Sequence, residues 1–273
     1  MLIKVPAQSN LNVYSLSNQK KSSLSVNLAQ SKQEITDAQR LRHTVFSEEY
    51  GAQFNNDSLG IDSDKFDKWC DHLLVRDLTT KKVVGTYRIL RPEQAAQAGS
   101  YYSESEFDLS RLNSIRHELV EFGRACIDAN YRSGPTLMML WTGLSVLIRK
   151  YQYQYVFGCA SVSLRDGGVT AAEVWRNVKG LINQAKILTV TPHYPYPVEQ
   201  VNTELPANIP ALIEGYLKLG VKVCGEPAWD PTFNTVDFPM LLNVSRMNPR
   251  YRKRLGFENS EINVAFEKEL CPS

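Results

Sequence analysis

An acidic and a basic side chain, Glu121 and Arg124, lie close together in an apolar, strand-like segment of the chain. A carboxylate so placed can orient and deprotonate an amine, and a guanidinium can stabilise negative charge that develops beside it. The segment leads into a turn at Gly134 and then into an apolar run over residues 136–148, for which we predict a buried helix. A helix N-terminus presents unpaired N–H groups and a partial positive charge, so this segment is suited to a phosphate-bearing ligand.

The geometry of this strand decides whether the two charged groups can act together. Strict alternation would place Glu121 and Arg124 on opposite faces. A β-bulge at Gly123 would bring them to one face and splay the strand from its neighbour, which opens room for a thioester. Backbone N–H groups freed there could polarise the thioester carbonyl. We therefore predict an acyl-transfer site with Glu121 as the base; a structural ion pair at a strand end is the alternative.

A second group of candidates is acidic and lies in a polar loop. Asp64 and Asp67 are three residues apart, a spacing that suits the binding of a cationic acceptor. A solvated loop is the alternative, and the pattern of an EF-hand calcium site is absent. Arg88 lies on an otherwise apolar strand face, where a guanidinium needs a carboxylate partner. We expect Asp64, Asp67 or Glu121 to supply that carboxylate.

The helix before this loop begins at a recognisable cap. Ser31 and Glu34 fit the capping-box pattern, and we predict the helix that follows over about residues 35–50, where apolar side chains recur at helical spacing. Arg42 and Phe46 are four residues apart and share one edge of that helix. We predict that they fix the acidic loop and line an acyl channel; an amphipathic edge with an Arg extending to solvent is the alternative.

Composition excludes several classes of function. The 273 residues carry 31 basic and 29 acidic side chains, a net charge of +2, which gives no global field for nucleic acid. The five cysteines form no C-x-x-C pair and have no histidine at metal-ligand spacing, so we expect no metal site. Cys126 and Cys159 lie in apolar strand-like segments, which indicates buried free thiols in a reducing compartment. A catalytic cysteine is the alternative.

The chain shows no sign of export or of membrane insertion. No apolar run approaches the ~20 residues that span a bilayer, and the N-terminus lacks the apolar core of a signal peptide. We expect a cytoplasmic protein that meets the inner face of the membrane only at its surface. The basic run over residues 246–254 could contact anionic lipid there.

Alternating strand-like and helix-like segments indicate one α/β (α+β) domain with a mixed central sheet flanked by helices. We expect a flexible polar arm over residues 1–24, the domain over residues 25–260 and a tail over residues 261–273. Besides the strand that carries Glu121, the predicted strands lie near residues 25–29, 72–77, 83–90, 155–160, 221–225 and 238–244.

The order of these motifs resembles two related groups of acyltransferases. One is the GNAT-like N-acyl-homoserine-lactone autoinducer synthases, whose pattern this chain follows at Arg42, Val45-Phe46, Asp64, Asp67, Arg88 and Glu121-x-x-Arg124. The chain is more similar to the ornithine N-acyltransferases that make lyso-ornithine lipid. That resemblance runs over about residues 31–256 and includes the segments 101–109 and 225–231. Each motif is short, so their common order carries the resemblance.

The resemblance implies a GNAT-like fold and transfer of a fatty acyl group, in particular a 3-hydroxyacyl group, from acyl carrier protein to the α-amino group of L-ornithine. It also implies that no cofactor is bound permanently, because the phosphopantetheine of acyl carrier protein serves as the donor arm. The usual GNAT phosphate loop is matched only in part, at Arg132 and Gly134, because Thr136 and Leu137 replace its second small residue. This departure favours acyl carrier protein over free coenzyme A.

The resemblance also suggests roles for further residues. Those that would bind the acceptor are Arg42, Phe46, Asp64, Asp67, Arg88, Glu226 and Asp230. Those that would bind the acyl donor are Gly123, Arg132, Gly134 and Trp141. Basic side chains that could receive the acidic carrier protein are Arg149, Lys150, Arg176 and Lys179. Two alternatives remain: another amine acceptor, giving an N-acyl amino acid or a homoserine lactone, and a non-catalytic sensor of acyl carrier protein or lipid.

Overall fold

The computed structural model describes residues 24–54, 59–132, 134–182, 188–201 and 208–258. Nearly all of the predicted N-terminal arm, the whole predicted tail and Cys271 therefore lie outside the described residues. Within them, the strands are β1 Leu24–Leu28, β2 Asp71–Asp77, β3 Val83–Leu90, β4 Phe107–Asp108, β5 Leu119–Ile127, β6 Tyr155–Ser163, β7 Thr191–Pro192, β8 Lys222–Val223, β9 Ala228–Asp230 and β10 Thr235–Asn243. The α-helices are α1 Lys32–Tyr50, α2 Pro92–Ala98, α3 Pro135–Lys150, α4 Val169–Ile182, α5 Ala211–Leu219 and α6 Pro249–Arg254.

One mixed sheet contains every described strand except β4 and β7, which pair with each other. Its strand order is β1-β2-β3-β5-β6-β10-β8, and β9 also pairs with β10. Neighbouring strands are antiparallel, with one exception: β5 and β6 are parallel. The prediction of an α/β fold with a mixed central sheet flanked by helices is confirmed.

The first helix has the predicted cap, Ser31, and begins at Lys32, three residues before the predicted start. The Ser31 side chain accepts a hydrogen bond from the Glu34 N–H (3.2 Å), and the Glu34 carboxylate accepts one from the Gln30 N–H (2.7 Å). Two backbone donors at the helix start are thereby satisfied. The helix ends at Gly51, whose left-handed backbone (φ 74°) is one that glycine adopts without steric cost.

Helices cover both faces of the sheet around β2 and β3. Leu74 packs with Ala38 and Leu41 of α1. The neighbouring Leu73 packs with Leu140 of α3, on the opposite face. Alternation of side chains along β2 produces this division. We call the two sides of the sheet the α1 face and the α3 face.

The parallel pairing of β5 and β6 covers only one end of the two strands. Leu119 pairs with Tyr155, and the last pair joins Glu121 to Phe157. Beyond that pair, β5 stays on β3 as far as Ile127, while β6 stays on β10. The two strands therefore part from each other, and we call the opening between them the β5–β6 gap.

Candidate active site

A bulge in β5 lies next to this gap. Arg88 pairs with Gly123 but Thr86 pairs with Cys126, so β5 contains one extra residue between these two pairs. Arg124 lies in the bulged segment and has a left-handed backbone, with φ 49°. The predicted bulge is therefore present, but its unusual backbone falls on Arg124, one residue after the predicted position.

A polar cavity of about 50 Å³ opens beside the bulge on the α1 face. The strands β3, β5, β6 and β10 and the short 3₁₀ helix Tyr102–Ser105 contribute to its walls. Glu121, Arg124 and Gly123 all line it. The bulge thus brings the two charged groups of β5 to one site, as the sequence predicted, instead of leaving them on opposite faces.

Glu121 is buried and holds the 3₁₀ helix against the sheet. Its carboxylate oxygens accept hydrogen bonds from the backbone N–H groups of Tyr102 (2.8 Å) and Ser103 (2.8 Å), and the Ser103 hydroxyl also donates to it. Burial raises the pKa of Glu121, although these hydrogen bonds oppose the rise. Three protein donors therefore compete with any amine for the lone pairs of this carboxylate.

Removal of this carboxylate should destabilise the protein. In Glu121→Ala three donors lose a buried acceptor, and we expect the free energy of unfolding to fall by about 2–3 kcal/mol. Chemical denaturation of the variant and of the wild type measures the difference. Glu118→Ala, which changes a more exposed glutamate just before β5, is the control and should unfold like the wild type. Equal stability of Glu121→Ala and the control would mean that the 3₁₀ helix does not depend on Glu121.

Ion pairs join the acidic loop to α1 and β3. Arg42 is fully buried and contacts Asp62 (2.8 Å) and Asp67 (2.8 Å). Arg88 contacts Asp64 at 2.7 Å and Asp67 at 3.6 Å, so its predicted carboxylate partners are confirmed. Burial alone would raise the pKa of Asp67, but Arg42 and Arg88 outweigh it and lower this pKa to about 2.

The acidic loop was expected to bind a cationic acceptor, and the structure gives its carboxylates other partners. Asp64 contacts Arg124 at 3.3 Å in addition to Arg88, and Asp67 is occupied by Arg42. The cations that these carboxylates bind are the chain's own guanidinium groups. Their observed role is to fix the loop and the two arginines that line the polar cavity.

Tyr102 lines the polar cavity, and no role was predicted for it from the sequence. Its ring lies between two guanidinium groups, 5.2 Å from that of Arg88 and 4.6 Å from that of Arg124, as cation–π contacts require. Its hydroxyl accepts a hydrogen bond from Arg124 (3.1 Å). The sequence did contain a signal for Tyr102, because this residue lies in the segment 101–109. That segment contributed to the resemblance, but no function was assigned to it.

One carboxyl group lines the polar cavity on the β10 side, and two further carboxyl groups lie near it. Asp237 of β10 is buried, lines the polar cavity and accepts a hydrogen bond from the Thr235 hydroxyl (3.0 Å). Burial, together with the nearby Asp230, raises the pKa of Asp237 to about 6. Burial and both of these aspartates raise the pKa of Glu106 to about 7. Sequence reasoning named Asp230 but missed the other two; a lone acid in the apolar β10 was the signal for Asp237.

An apolar cavity of about 100 Å³ lies on the α3 face. Its walls come mainly from α3, α5, β6 and β10, with Leu144 and Met240 among the lining residues. Phe122 and Cys159 line both cavities, so the two cavities are adjacent at the β5–β6 gap. Gly158 is required at the gap, because a Cβ there would overlap the carbonyl oxygen of Phe122. An alkyl chain on one face of the sheet can thus be joined to a polar group on the other.

The cysteine at this junction lacks the chemistry of a nucleophile. Burial raises the pKa of the Cys159 thiol well above its ordinary value, so it stays protonated at neutral pH. Its sulfur lies 3.4 Å from the Ser103 hydroxyl. The four described cysteines are free, and the pKa of each is raised by burial. The prediction of free thiols is confirmed for these four.

Comparison with known proteins assigns the chain to a family. A family model described as an acetyltransferase (GNAT) domain matches residues 41–142. The L-ornithine N(alpha)-acyltransferase of Brucella abortus (strain 2308) is 34% identical over 258 residues, which cover 86% of this chain and 90% of that protein. The chain belongs to the L-ornithine N(alpha)-acyltransferase family. The sequence-based recognition of an acyltransferase with a GNAT-like fold is confirmed.

Other relatives agree with this membership. The L-ornithine N(alpha)-acyltransferase of Rhodobacter capsulatus is 32% identical over 245 residues, covering 85% of this chain and 94% of that protein. Among solved structures, FeeM, an N-acyl amino acid synthase from uncultured soil microbes, is similar with a TM-score of 0.52. The two sequences are 13% identical, and the match covers 85% of this chain and 94% of FeeM. The similarity is therefore one of fold.

In this member of the ornithine acyltransferase family, the residues expected to bind the acyl donor do not lie at one site. Trp141 lines the apolar cavity and Gly123 the polar one. Gly134, with φ 84°, precedes α3. The Arg132 guanidinium donates to the Ile127 carbonyl (3.0 Å) and pairs with Glu49, so it lies at the end of β5 and lines neither cavity.

The basic residues expected to dock the carrier protein do not form one surface at the gap. Arg149 donates to the Leu255 carbonyl (2.8 Å), and Lys150 ends α3 near the paired end of β5 and β6. Arg176 pairs with Glu173 (2.5 Å) within α4. Lys179 pairs with Glu199 at 3.0 Å.

Of the seven acceptor residues inferred from the resemblance, all of which the structure describes, Arg88 alone lines the polar cavity. Phe46 packs in the core, with its ring 5.7 Å from that of Phe233 in an edge contact. Glu226 is exposed. No group of three or more His, Cys, Asp or Glu side chains that could hold a metal ion occurs among the described residues. Over the same part of the chain, no helix is long and apolar enough to cross a membrane.

Proposed function

We propose that this protein transfers a fatty acyl group from acyl carrier protein to the α-amino group of L-ornithine, the first step of ornithine lipid synthesis. The observation that carries the proposal is the junction of an apolar cavity and a polar, acid-lined cavity at the β5–β6 gap. The names of the relatives supply the acceptor. We place the reaction in the cytoplasm, with membrane contact confined to the protein surface.

The acyl donor fits the gap and the apolar cavity. Burial of the acyl chain against residues such as Leu144 and Met240 contributes about 0.8 kcal/mol per methylene. The thioester carbonyl would then lie in the gap, where the facing edges of β5 and β6 beyond Glu121 are not paired with each other. Backbone N–H groups on these edges can stabilise an oxyanion. The phosphopantetheine arm would enter from the open end, beside the turn before α3.

The acceptor fits the acidic side of the polar cavity. Ornithine carries two ammonium groups, and the site offers more than one carboxylate to bind them. Asp237 lines the cavity. Asp230 lies close enough to raise the pKa of Asp237, and Glu106 lies close enough for Asp237 to raise the pKa of Glu106. A second ammonium group relieves the repulsion among these carboxylates. This electrostatic match favours a diamino acid over a simple amino acid.

The transfer step can be written with this chain's own groups. The α-ammonium group first loses one proton to solvent, which gives a neutral amine. The amine nitrogen then bonds to the carbonyl carbon, the carbon–sulfur bond breaks, and its electron pair leaves with the phosphopantetheine sulfur as a thiolate. The nitrogen's proton passes to Asp237, whose pKa of about 6 suits a base at neutral pH. The thiolate then takes a proton from solvent. Arg124, buried beside the cavity, favours the ionised form of Asp237 and stabilises the oxyanion.

This assignment revises the hypothesis that Glu121 is the base. Three protein donors occupy Glu121, whereas Asp237 faces the cavity with two hydroxyl groups as partners. Glu121 then acts as a positioning residue that holds the 3₁₀ helix carrying Tyr102. Arg124 keeps its proposed place in the catalytic site.

The function is tested with purified protein, a long-chain acyl carrier protein and three acceptors. L-ornithine should be acylated at its α-amino group, as mass spectrometry with fragmentation would show. L-norvaline has the same carbon chain without the δ-amino group, and L-lysine has one more methylene. We expect kcat/KM for norvaline to be lower than for ornithine by about 100-fold, because a buried carboxylate loses its partner.

Each other result selects a different function. Equal use of norvaline would indicate an N-acyl amino acid synthase with a general acceptor. Product from S-adenosylmethionine in place of ornithine would indicate a lactone synthase. No product with any amine, despite binding of the acyl carrier protein, would indicate a sensor. Acyl-coenzyme A in parallel reactions shows whether the carrier protein is needed.

Direct transfer predicts that the junction cysteine is dispensable. Cys159→Ala removes a protonated thiol that forms no bond to the acyl group, so kcat should stay within about threefold of the wild type. Steady-state kinetics measure this, and intact mass after exposure to donor alone should show no acylated enzyme. Loss of activity together with an acyl adduct that disappears in Cys159→Ala would establish a covalent route.

A further inference from the structure

Two phenol groups lie in the wall of the otherwise apolar cavity. Tyr87 of β3 is buried, Tyr216 comes from α5, and their hydroxyl groups are hydrogen-bonded to each other. Both residues line the apolar cavity. Polar groups in such a wall cost free energy unless they are hydrogen-bonded, so their presence requires an explanation.

The hydrogen bonds of this pair leave one proton unused. Burial raises the pKa of Tyr87 to about 12 and that of Tyr216 well above its ordinary value, so both phenols are protonated at neutral pH. The pair has two O–H protons, and one contact between the two oxygens uses only one of them. The indole of Trp141 adds a further donor to Tyr87, not an acceptor. Among the described residues, no acceptor for the second proton is seen.

Ser145, in the same wall, shows the contrast. Its hydroxyl lies within hydrogen-bonding distance of the carbonyl oxygens of Thr142 (2.7 Å) and Leu255 (2.9 Å), so its proton has an acceptor within the protein. A hydroxyl that is satisfied in this way has no need of a ligand. The Tyr87–Tyr216 pair is different because its spare donor is available to whatever occupies the cavity.

The pair is held in place close to the gap. The Tyr87 ring makes an edge contact with Phe122, which lines both cavities, at 6.4 Å between centroids. The Tyr216 ring stacks on Trp141 at 6.0 Å. Gly215 permits this stacking, because a Cβ there would come within 3.0 Å of the Trp141 ring. Tyr87 therefore contacts a residue that lines both cavities, and Tyr216 lies next to it in the cavity wall.

We propose that Tyr87 and Tyr216 form a subsite that hydrogen-bonds a hydroxyl group carried by the acyl chain near its thioester, at carbon 3. The inference rests on the proposed function and deepens it by naming the residues that select the donor. The spare phenol proton is donated to the oxygen of the acyl hydroxyl. That hydroxyl in turn donates to a lone pair of the second phenol, so each group in the subsite is satisfied. An unsubstituted chain leaves the spare proton without a partner.

The test compares two donors that differ by one oxygen, 3-hydroxyhexadecanoyl and hexadecanoyl acyl carrier protein. The wild type should prefer the hydroxylated donor in kcat/KM by about tenfold to a hundredfold. Tyr87→Phe and Tyr216→Phe should each reduce this preference to within about threefold, mainly by raising KM for the hydroxylated donor. Tyr251→Phe is the control: this tyrosine packs on Trp141 without lining the cavity, and the preference should not change.

A second measurement does not depend on turnover. Calorimetric titration with 3-hydroxyhexadecanoic and hexadecanoic acids should show tighter binding of the hydroxylated acid to the wild type, and equal binding to Tyr87→Phe. Acylation of ornithine with the same donor preference in wild type and both variants would overturn the inference while leaving the proposed function standing. Absence of any transfer, with the hydroxyl preference in binding retained, would overturn the proposed function alone.

Discussion

Replacement of Asp237 by asparagine is expected to lower kcat/KM for ornithine by about 100-fold or more, because the amide cannot accept the proton of the amine. The protein as a whole should become more stable at the same time. For the wild type, kcat/KM should fall as the pH drops through the region of about 6 to 7, where the pKa values of Asp237 and Glu106 lie. In Asp237→Asn, the fall of kcat/KM at acidic pH should no longer include the contribution from protonation of Asp237.

The gain in stability follows from the direction of the pKa shift. The pKa of Asp237 is about 6 in the folded protein against an ordinary value of 3.8, so the unfolded chain ionises more readily. Folding stability therefore falls as the pH rises from about 4 to about 6, and the whole penalty is present at pH 7. A shift of this size corresponds to about 3 kcal/mol, and asparagine should recover about 1–2 kcal/mol because its amide donors need partners too.

Denaturation at pH 7 and steady-state kinetics measure the two effects. Asp71→Asn is the control, because Asp71 also has a pKa raised by burial but pairs with Arg91 and lines neither cavity. That variant should keep full activity. If Asp237→Asn kept wild-type activity, the base would have to be sought elsewhere, and Glu121 would return as the candidate.

Replacement of Gly158 by alanine is expected to abolish most of the transfer activity, with a loss of about 100-fold or more. The new Cβ would overlap the Phe122 carbonyl oxygen, and backbone on both sides leaves no side chain that can move away. The strands must therefore shift where the two cavities meet, and a displacement of about 1 Å at a reacting centre costs about this much. Overpacking of this kind should also lower the free energy of unfolding by about 1–3 kcal/mol.

Two other glycines serve as matched controls for this variant. Gly180 is exposed on α4 with open space around it, so Gly180→Ala should raise stability by up to about 1 kcal/mol and leave activity unchanged. Gly123 lines the polar cavity, and a Cβ there meets no atom within 4 Å. Gly123→Ala should fold normally. Full activity of Gly158→Ala would mean that the donor does not pass between β5 and β6.

Much of the fold could be predicted because local patterns and packing agree. Alternation and turn residues predicted β3 at its observed bounds and β2 to within one residue, and a capping pattern predicted the N-cap of α1, although the predicted helix began three residues late. The predicted strand over residues 221–225 is reduced to Lys222–Val223. The two-residue strands β4 and β7 had no sequence signal, because contacts between distant segments create them.

The site was predicted less completely than the fold. The prediction that Glu121, Arg124 and a bulge lie together was correct. A glycine between two charged residues of a strand indicates a bulge, and a bulge brings both charged groups to one face. It could not show that Asp64 and Asp67 bind arginines, since an acidic loop has the same sequence whether its partner is a ligand or the chain itself. Asp237 was missed for a similar reason: its raised pKa arises from burial and from Asp230, which only the folded strands bring close.

The opening between β5 and β6 has a consequence for turnover. In the proposed reaction, the lipid tail and the amino acid occupy opposite sides of the sheet as separate molecules before transfer. Once the amide bond forms, one molecule extends through the sheet with a part on each side. The product must slide sideways out of the open end of the slot, the same end through which the donor arm entered. For the proposed donor, we therefore expect the spent carrier to leave before the lysolipid.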